Sequence, residues 1–190
     1  MTFLQSINRI LYSFSFVGFL DILILGTLIF FTIKAFISKK NLRIWNATNI
    51  SFCAFYLFYL LFFAILSRNP EEEYTVSLIP FYSYYQYFLG NNPEAFRTNT
   101  ANLAVFYPLG LILSDISLKS KNKKLIVGLI AFGLSASIEI TQYILSLGYT
   151  EIDDILHNTL GAVLAVIGYN LASERFLPYI KKRLKKKLLQ

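Results

Sequence analysis

Four ionisable side chains and an amide crowd eight positions at the head of the stretch TEIDDILHNTLGAVLAVIGYN, residues 150–170: Glu151, Asp153, Asp154, His157 and Asn158. Carboxylates this close oppose one another's ionisation, and more strongly where burial removes water, so their pKa values rise. One can then keep its proton while a neighbour is ionised, which is the division of labour an acid and base pair needs. A divalent cation held by hard carboxylate oxygens would relieve the same repulsion. A structural role is equally open. Acids in a helix's first turn favour the positive end of its dipole, and His157 can hydrogen-bond one turn back to Asp153.

A second group of polar residues has helical spacing. Gly128, Ala131, Ser135, Glu139, Gln142 and Ser146 recur at three- and four-residue steps and so share one stripe. Asp154, Asn158, Gly161, Ala165 and Gly168 do the same after residue 150, with Asp153 and His157 beside them. Such small residues let membrane helices approach closely, so this stripe also suits a non-catalytic scaffold subunit packing on another membrane protein. Upstream, Asn102 precedes FYPLG (106–110), where Pro108 removes a backbone donor and can bend a helix. The candidate catalytic residues are Glu139, as acid–base group, with Asp153, Asp154 and His157. Asn102, Gln142 and Asn158 are candidate ligand-holding groups, and Glu139, Asp153 and Asp154 are the possible set for a divalent cation. Neither a Gly-rich phosphate loop nor GxSxG is present. The lone Cys53 excludes a disulfide framework or a Cys-based metal site.

These groups have to be positioned inside a very apolar chain. Hydrophobic residues make up 55% of the 190 and aromatics 17%, more than an ordinary soluble domain carries. Five runs, at 17–37, 44–66, 101–118, 125–147 and 155–172, have roughly the length that crosses a hydrocarbon core of about 30 Å. The fold class expected is therefore all-α, a polytopic membrane bundle of about five transmembrane helices. The first run is expected to be retained, since Asp21 interrupts it and no small-residue cleavage site follows. Three regions are expected: a two-helix membrane region over 1–77, a membrane domain over 78–172 and a basic tail over 173–190.

The net charge of +7 comes from short basic clusters between apolar runs, which suits topology and not a nucleic-acid groove. Of the 18 basic residues, 15 fall on one side: Lys34 to Arg43, Lys119 to Lys124 and the tail. The other side holds only Arg9, Arg68 and Arg97. The positive-inside rule puts the first side in the cytoplasm and the N-terminus outside, in a cell's plasma membrane. The tail KKRLKKKLLQ would lie on anionic lipid heads.

Between the second and third runs, EEEY (71–74) gives way to IPFYSYYQYF (79–88), too short to span and too aromatic for a plain loop. Such rings prefer the acyl boundary while their polar atoms prefer water. Residues 81–88 are therefore expected to lie on the outer leaflet, as an anchor or as a platform for a bulky amphiphile built from Tyr82, Tyr84 and Tyr85. With this topology Glu139 lies about 20 Å from the inner end of its helix and shares an outer depth with Asn102 and residues 153–158. The expectation is one outward-facing pocket in which Glu139, Asp154 and Asn158 come within about one bridging water of each other.

The blocks IPFYSY, NLAVFYPLG (102–110), SIEITQ (137–142) and EIDDILHNTLGAVLAVIGY (151–169), in this order and spacing, resemble the VanZ family of small membrane proteins. The likeness covers residues 78–169 and points to Asn102, Pro108, Gly110, Glu139, Gln142, Asp153, Asp154, Asn158 and Gly161. The chain departs at SLGYTE, where many members carry an Arg before the paired Asp. The family's founding member is associated with teicoplanin resistance. The resemblance thus implies a partner that is a membrane lipid, a lipid-linked cell-wall precursor or a lipid-tailed glycopeptide, which the protein would bind or modify. An intramembrane hydrolase or transferase is the enzymatic alternative.

Overall fold

The computed structural model describes residues 42–66, 75–116 and 121–171. Helix α1 (Leu42–Leu61) runs into a π-helical turn (Phe62–Leu66). Then come strand β1 (Val76–Ser77), the short helix α2 (Tyr82–Phe88), α3 (Pro93–Asp115), α4 (Lys123–Ile144), strand β2 (Thr150–Glu151) and α5 (Ile152–Leu171). The first expected run, residues 17–37, and the basic tail lie outside the described residues. Among the described residues, two segments, Arg43–Ile65 and Lys123–Ile144, are long and apolar enough to cross a membrane by length and composition. The other two long helices, α3 and α5, do not meet that measure.

α3 begins eight residues ahead of the expected run, and the cause is local. Asn92 accepts the Glu94 N–H at 3.2 Å, and Pro93 takes the first helical position, where its missing N–H is no loss. The helix continues through the buried Pro108 to Asp115, and Ile116 ends it in extended conformation. The aromatic segment is helical over seven residues, as α2.

Contacts between side chains set the directions. Asn102 meets Asp154, and Tyr169 donates to Asp115, so residue numbers rise together and α3 runs parallel to α5. Glu139 meets the backbone of Glu151, while Ser135 meets Asn158, so α4 runs antiparallel to both. Two glycines make the α3–α5 approach possible. A Cβ on Gly161 would stand 2.2 Å from the Leu103 carbonyl oxygen, and one on Gly110 would stand 2.3 Å from that of Ala162 and 2.7 Å from the Ala165 Cβ. The small-residue stripe is thus occupied within the chain. Tyr56 and Leu60 of α1 join Phe106, Leu109, Ile112, Val127, Ala131, Ile138, Ala162 and Val166 in the core.

One feature of the fold has no counterpart in the apolar pattern. β1 pairs in parallel with β2, Val76 opposite Thr150, and Thr150 N–H donates to the Thr75 carbonyl at 3.0 Å. This two-residue bridge holds the start of the aromatic segment beside the start of α5. At the opposite end of the bundle, Lys123 Nζ donates to the Ser114 carbonyl at 2.9 Å and lies 5.1 Å from the Tyr169 ring centre.

Candidate functional site

Asp153 is 2% exposed and is the anchor for α2. Its Oδ1 accepts the Phe81 N–H at 2.5 Å, and its Oδ2 accepts both the Ser83 N–H at 2.9 Å and the Ser83 hydroxyl at 2.5 Å. The first N–H groups of any helix lack intrahelical acceptors, and here a carboxylate from a different helix supplies them. Asp153 therefore stands in the first turn of α5, as an acid favouring its dipole would, and its side chain also caps a second helix, α2. Ser83 in turn accepts from Asn99 Nδ2 at 2.9 Å. Neither Ser83 nor Asn99 was among the expected site residues. The available signal was that Ser83 is the one small polar residue within an aromatic run, and that Asn99 stands one turn before Asn102.

His157, 3% exposed, is held at both ring nitrogens. Nδ1 lies 2.5 Å from the Asp153 carbonyl oxygen, which has no hydrogen to give, so Nδ1 carries the proton. In the neutral ring Nε2 is then an acceptor, and the Tyr84 hydroxyl at 2.8 Å donates to it. The expected three-tyrosine platform divides accordingly. Tyr84 turns inward against His157, while Tyr82 and Tyr85 stack on one another at 5.8 Å on the exposed face.

The remaining residues meet in pairs. Asn102 donates to Asp154 Oδ1 at 2.6 Å, joining α3 to α5. Glu139, 4% exposed, accepts the Glu151 N–H at 3.1 Å, so its carboxylate reaches the strand that leads into α5. Asn158 donates to Ser135 Oγ at 2.8 Å, one helical turn beyond Asp154 and one turn before Glu139. The three residues expected to converge thus have these contacts with three different neighbours. Gln142 does something the spacing did not reveal: its amide donates at 2.9 Å to the Ala64 carbonyl in the π turn that ends α1.

Among the described residues, no three His, Cys, Asp or Glu groups gather in a way that would hold a metal ion. Both Asp153 oxygens are engaged by α2, which leaves that member of the possible metal set poorly placed to coordinate. Glu151, at the entrance to α5, has its carboxyl pushed up from the ordinary range, first by burial and then by the neighbouring charge of Asp153.

A bundle that presents buried acids, amides and a His–Tyr pair at one end, under an aromatic helix, defines a small helical protein with a polar site at the ends of apolar helices. Residues 50–173 match the VanZ/LLP1 family. Over 130 residues, 58% of this chain and 77% of the relative, the sequence is 30% identical to Protein VanZ of Enterococcus faecium. The chain belongs to the VanZ family. No solved structure matches it.

Proposed function

We propose that this VanZ-family chain is a multi-pass protein of the bacterial plasma membrane. Its polar end faces outward and receives the head group of a lipid-linked envelope compound or of a lipid-tailed glycopeptide such as teicoplanin. Holding or modifying that amphiphile lowers the cell's sensitivity to the antibiotic. The observation that carries this reading is the concentration of buried polar side chains at one end. Glu139, Gln142, Asp153, His157 and Asn158 are all 7% exposed or less and are joined by the half-buried Asn102 and Asp154. Apolar helices retain such groups only where partners or water meet them. The orientation follows from the basic clusters, which belong to the cytoplasmic side. The aromatic helix α2 would then lie where the tail leaves the head group, its exposed Tyr82, Tyr85 and Phe88 at the acyl boundary.

Expressing the chain in a sensitive bacterium tests this. The inhibitory concentration of a lipid-tailed glycopeptide should rise more than that of an untailed one. Equal sensitivity to both, with the protein present in the membrane, defeats the proposal.

The His157–Tyr84 bond favours one other reading, an intramembrane hydrolase or transferase. A tyrosine hydroxyl that already donates to imidazole is set for proton transfer. Mass comparison of lipid extracts with and without the protein separates the two: an altered envelope lipid is the signature of an enzyme. The scaffold reading loses its main support, because Gly161 and Ala165 pack on α3 of the same chain.

A further inference from the structure

We infer that α2 is a hinged cover over the polar end, latched by Asp153 and His157, which lifts at its Phe81 end to admit a head group bearing hydroxyl or amino donors. What the cover admits rests on the function proposed above; that the cover lifts does not.

The argument starts from what α2 buries. Ser83 is its sole buried residue, while Phe81, Tyr82, Tyr85, Phe88 and Leu89 are all exposed. Apolar contact with the rest of the protein therefore does little to hold the helix down on the bundle, whatever lipid its outer rings meet, and segments held chiefly by hydrogen bonds are the ones that open locally. Those bonds are confined to three residues at one end: Phe81 and Ser83 on Asp153, Ser83 to Asn99, and Tyr84 on His157.

The opposite end is fastened differently. Tyr87 packs on Phe96 of α3 with ring centres 5.1 Å apart, and Asn92 N–H donates to the Gln86 carbonyl at 3.1 Å. Left-handed backbone stands on both sides of the helix, at Phe81 (φ 64°) and Asn91 (φ 50°). An aromatic residue rarely adopts that conformation and is strained in it. The Asp153 bond to Phe81 N–H holds the strained end down, so losing that bond favours lifting. The pivot is at Asn91, which such short polar residues tolerate.

Beneath the cover, the direction of the hydrogen bonds defines what can bind. Asp153 takes the Ser83 hydroxyl proton, so the Ser83 oxygen can only accept from Asn99 and must face its amide nitrogen. That leaves Asn99 Oδ1, in a residue 3% exposed, buried with no hydrogen-bond partner among the described residues. An acceptor of this kind, next to the Asp153 carboxylate, calls for a donor. Lifting the Phe81 end frees Asp153 and His157 Nε2 as further acceptors. Hydroxyl and amino groups satisfy all three, and a phosphate oxygen satisfies none.

Cysteine labelling of the full chain in lipid nanodiscs tests the cover without any ligand, so its failure is separate from failure of the proposed function. In a Cys53→Ser background, Ser83→Cys gives up the hydroxyl's bonds but keeps the Phe81 and Ser83 N–H bonds to Asp153 and the Tyr84 bond to His157, so it should react more slowly with a water-soluble maleimide than the exposed Tyr85→Cys. Adding Asp153→Asn or His157→Gln should speed Ser83→Cys labelling by about tenfold, the factor matching one hydrogen bond to a charged or strongly polar partner. The fully buried Val166→Cys should stay protected throughout. An unchanged Ser83→Cys rate in both latch variants overturns the cover. So does labelling of Val166→Cys in step with it, because the whole bundle would then be opening.

Discussion

Asp153 and Asp154 are adjacent in sequence and do different work, because successive helical positions point about 100° apart. Asp153 faces α2 and is spent on holding it, whereas Asp154 faces α3 and meets Asn102. Replacing Asp154 with Ala leaves the Asn102 amide donor without this acceptor, at a cost of about 1 kcal/mol for a bond between membrane helices. A modest fall in the thermal midpoint of the detergent-solubilised protein is the expected reading, together with loss of glycopeptide protection. A collapse of the fold would instead make Asp154 a structural residue. Glu151 gives a pH prediction. Its pKa is higher folded than unfolded, so the folded form binds the extra proton. Stability is then greatest below the unfolded value near 4.5 and falls as pH rises from there to the folded pKa, staying reduced above it. Glu151→Gln should raise the midpoint at pH 7 and flatten its slope across that acidic window. Melting curves with an unaltered slope would show that Glu151 is not the group responsible.

At the scale of elements, two glycines with opposite surroundings make a matched test. Gly161→Ala forces a methyl against the Leu103 backbone at 2.2 Å, so α3 and α5 must separate, costing about 1 to 3 kcal/mol or more. Gly133→Ala on α4 has nothing within 4 Å to meet and removes a flexible helix position, so it should be neutral or stabilising by up to about 1 kcal/mol. Equal effects of the two on thermal stability would mean that the α3–α5 packing is wrong. The elements were legible in sequence to the extent that apolar length dictates them. The run at 44–66 became α1 with its π turn, 125–147 became α4, and 155–172 became α5. Apolar length puts the start of α3 eight residues too late, because the helix begins in the polar NNPEAF, where a capping Asn and a first-turn Pro start it ahead of the apolar run. The α3–α5 contact was readable in the Gly161, Ala165 stripe as close packing, but not its partner. Nor could spacing reveal that Gln142 reaches back to Ala64 or that β1 pairs with β2. Those bonds depend on how distant segments sit against one another, and a two-residue strand leaves no periodic trace.

For the whole molecule, the polar end and the basic clusters should lie on opposite membrane faces. Reporter fusions at Gln190 should be active only in the cytoplasm, and fusions within 89–92, after α2, only outside. The reverse pattern would turn the polar end inward and remove its access to surface compounds. The central claim is that this end receives the head group of a lipid-tailed amphiphile, and the most direct measurement is binding to the purified full chain in nanodiscs. The account predicts saturable binding of the tailed glycopeptide, weaker binding of the untailed one, and an affinity lowered about tenfold or more by Asp154→Ala, the factor for one lost charge-assisted hydrogen bond. Gly133→Ala should bind as the unaltered protein does. Tailed glycopeptide that binds equally well to empty nanodiscs, or to the Asp154→Ala protein with undiminished affinity, would contradict it.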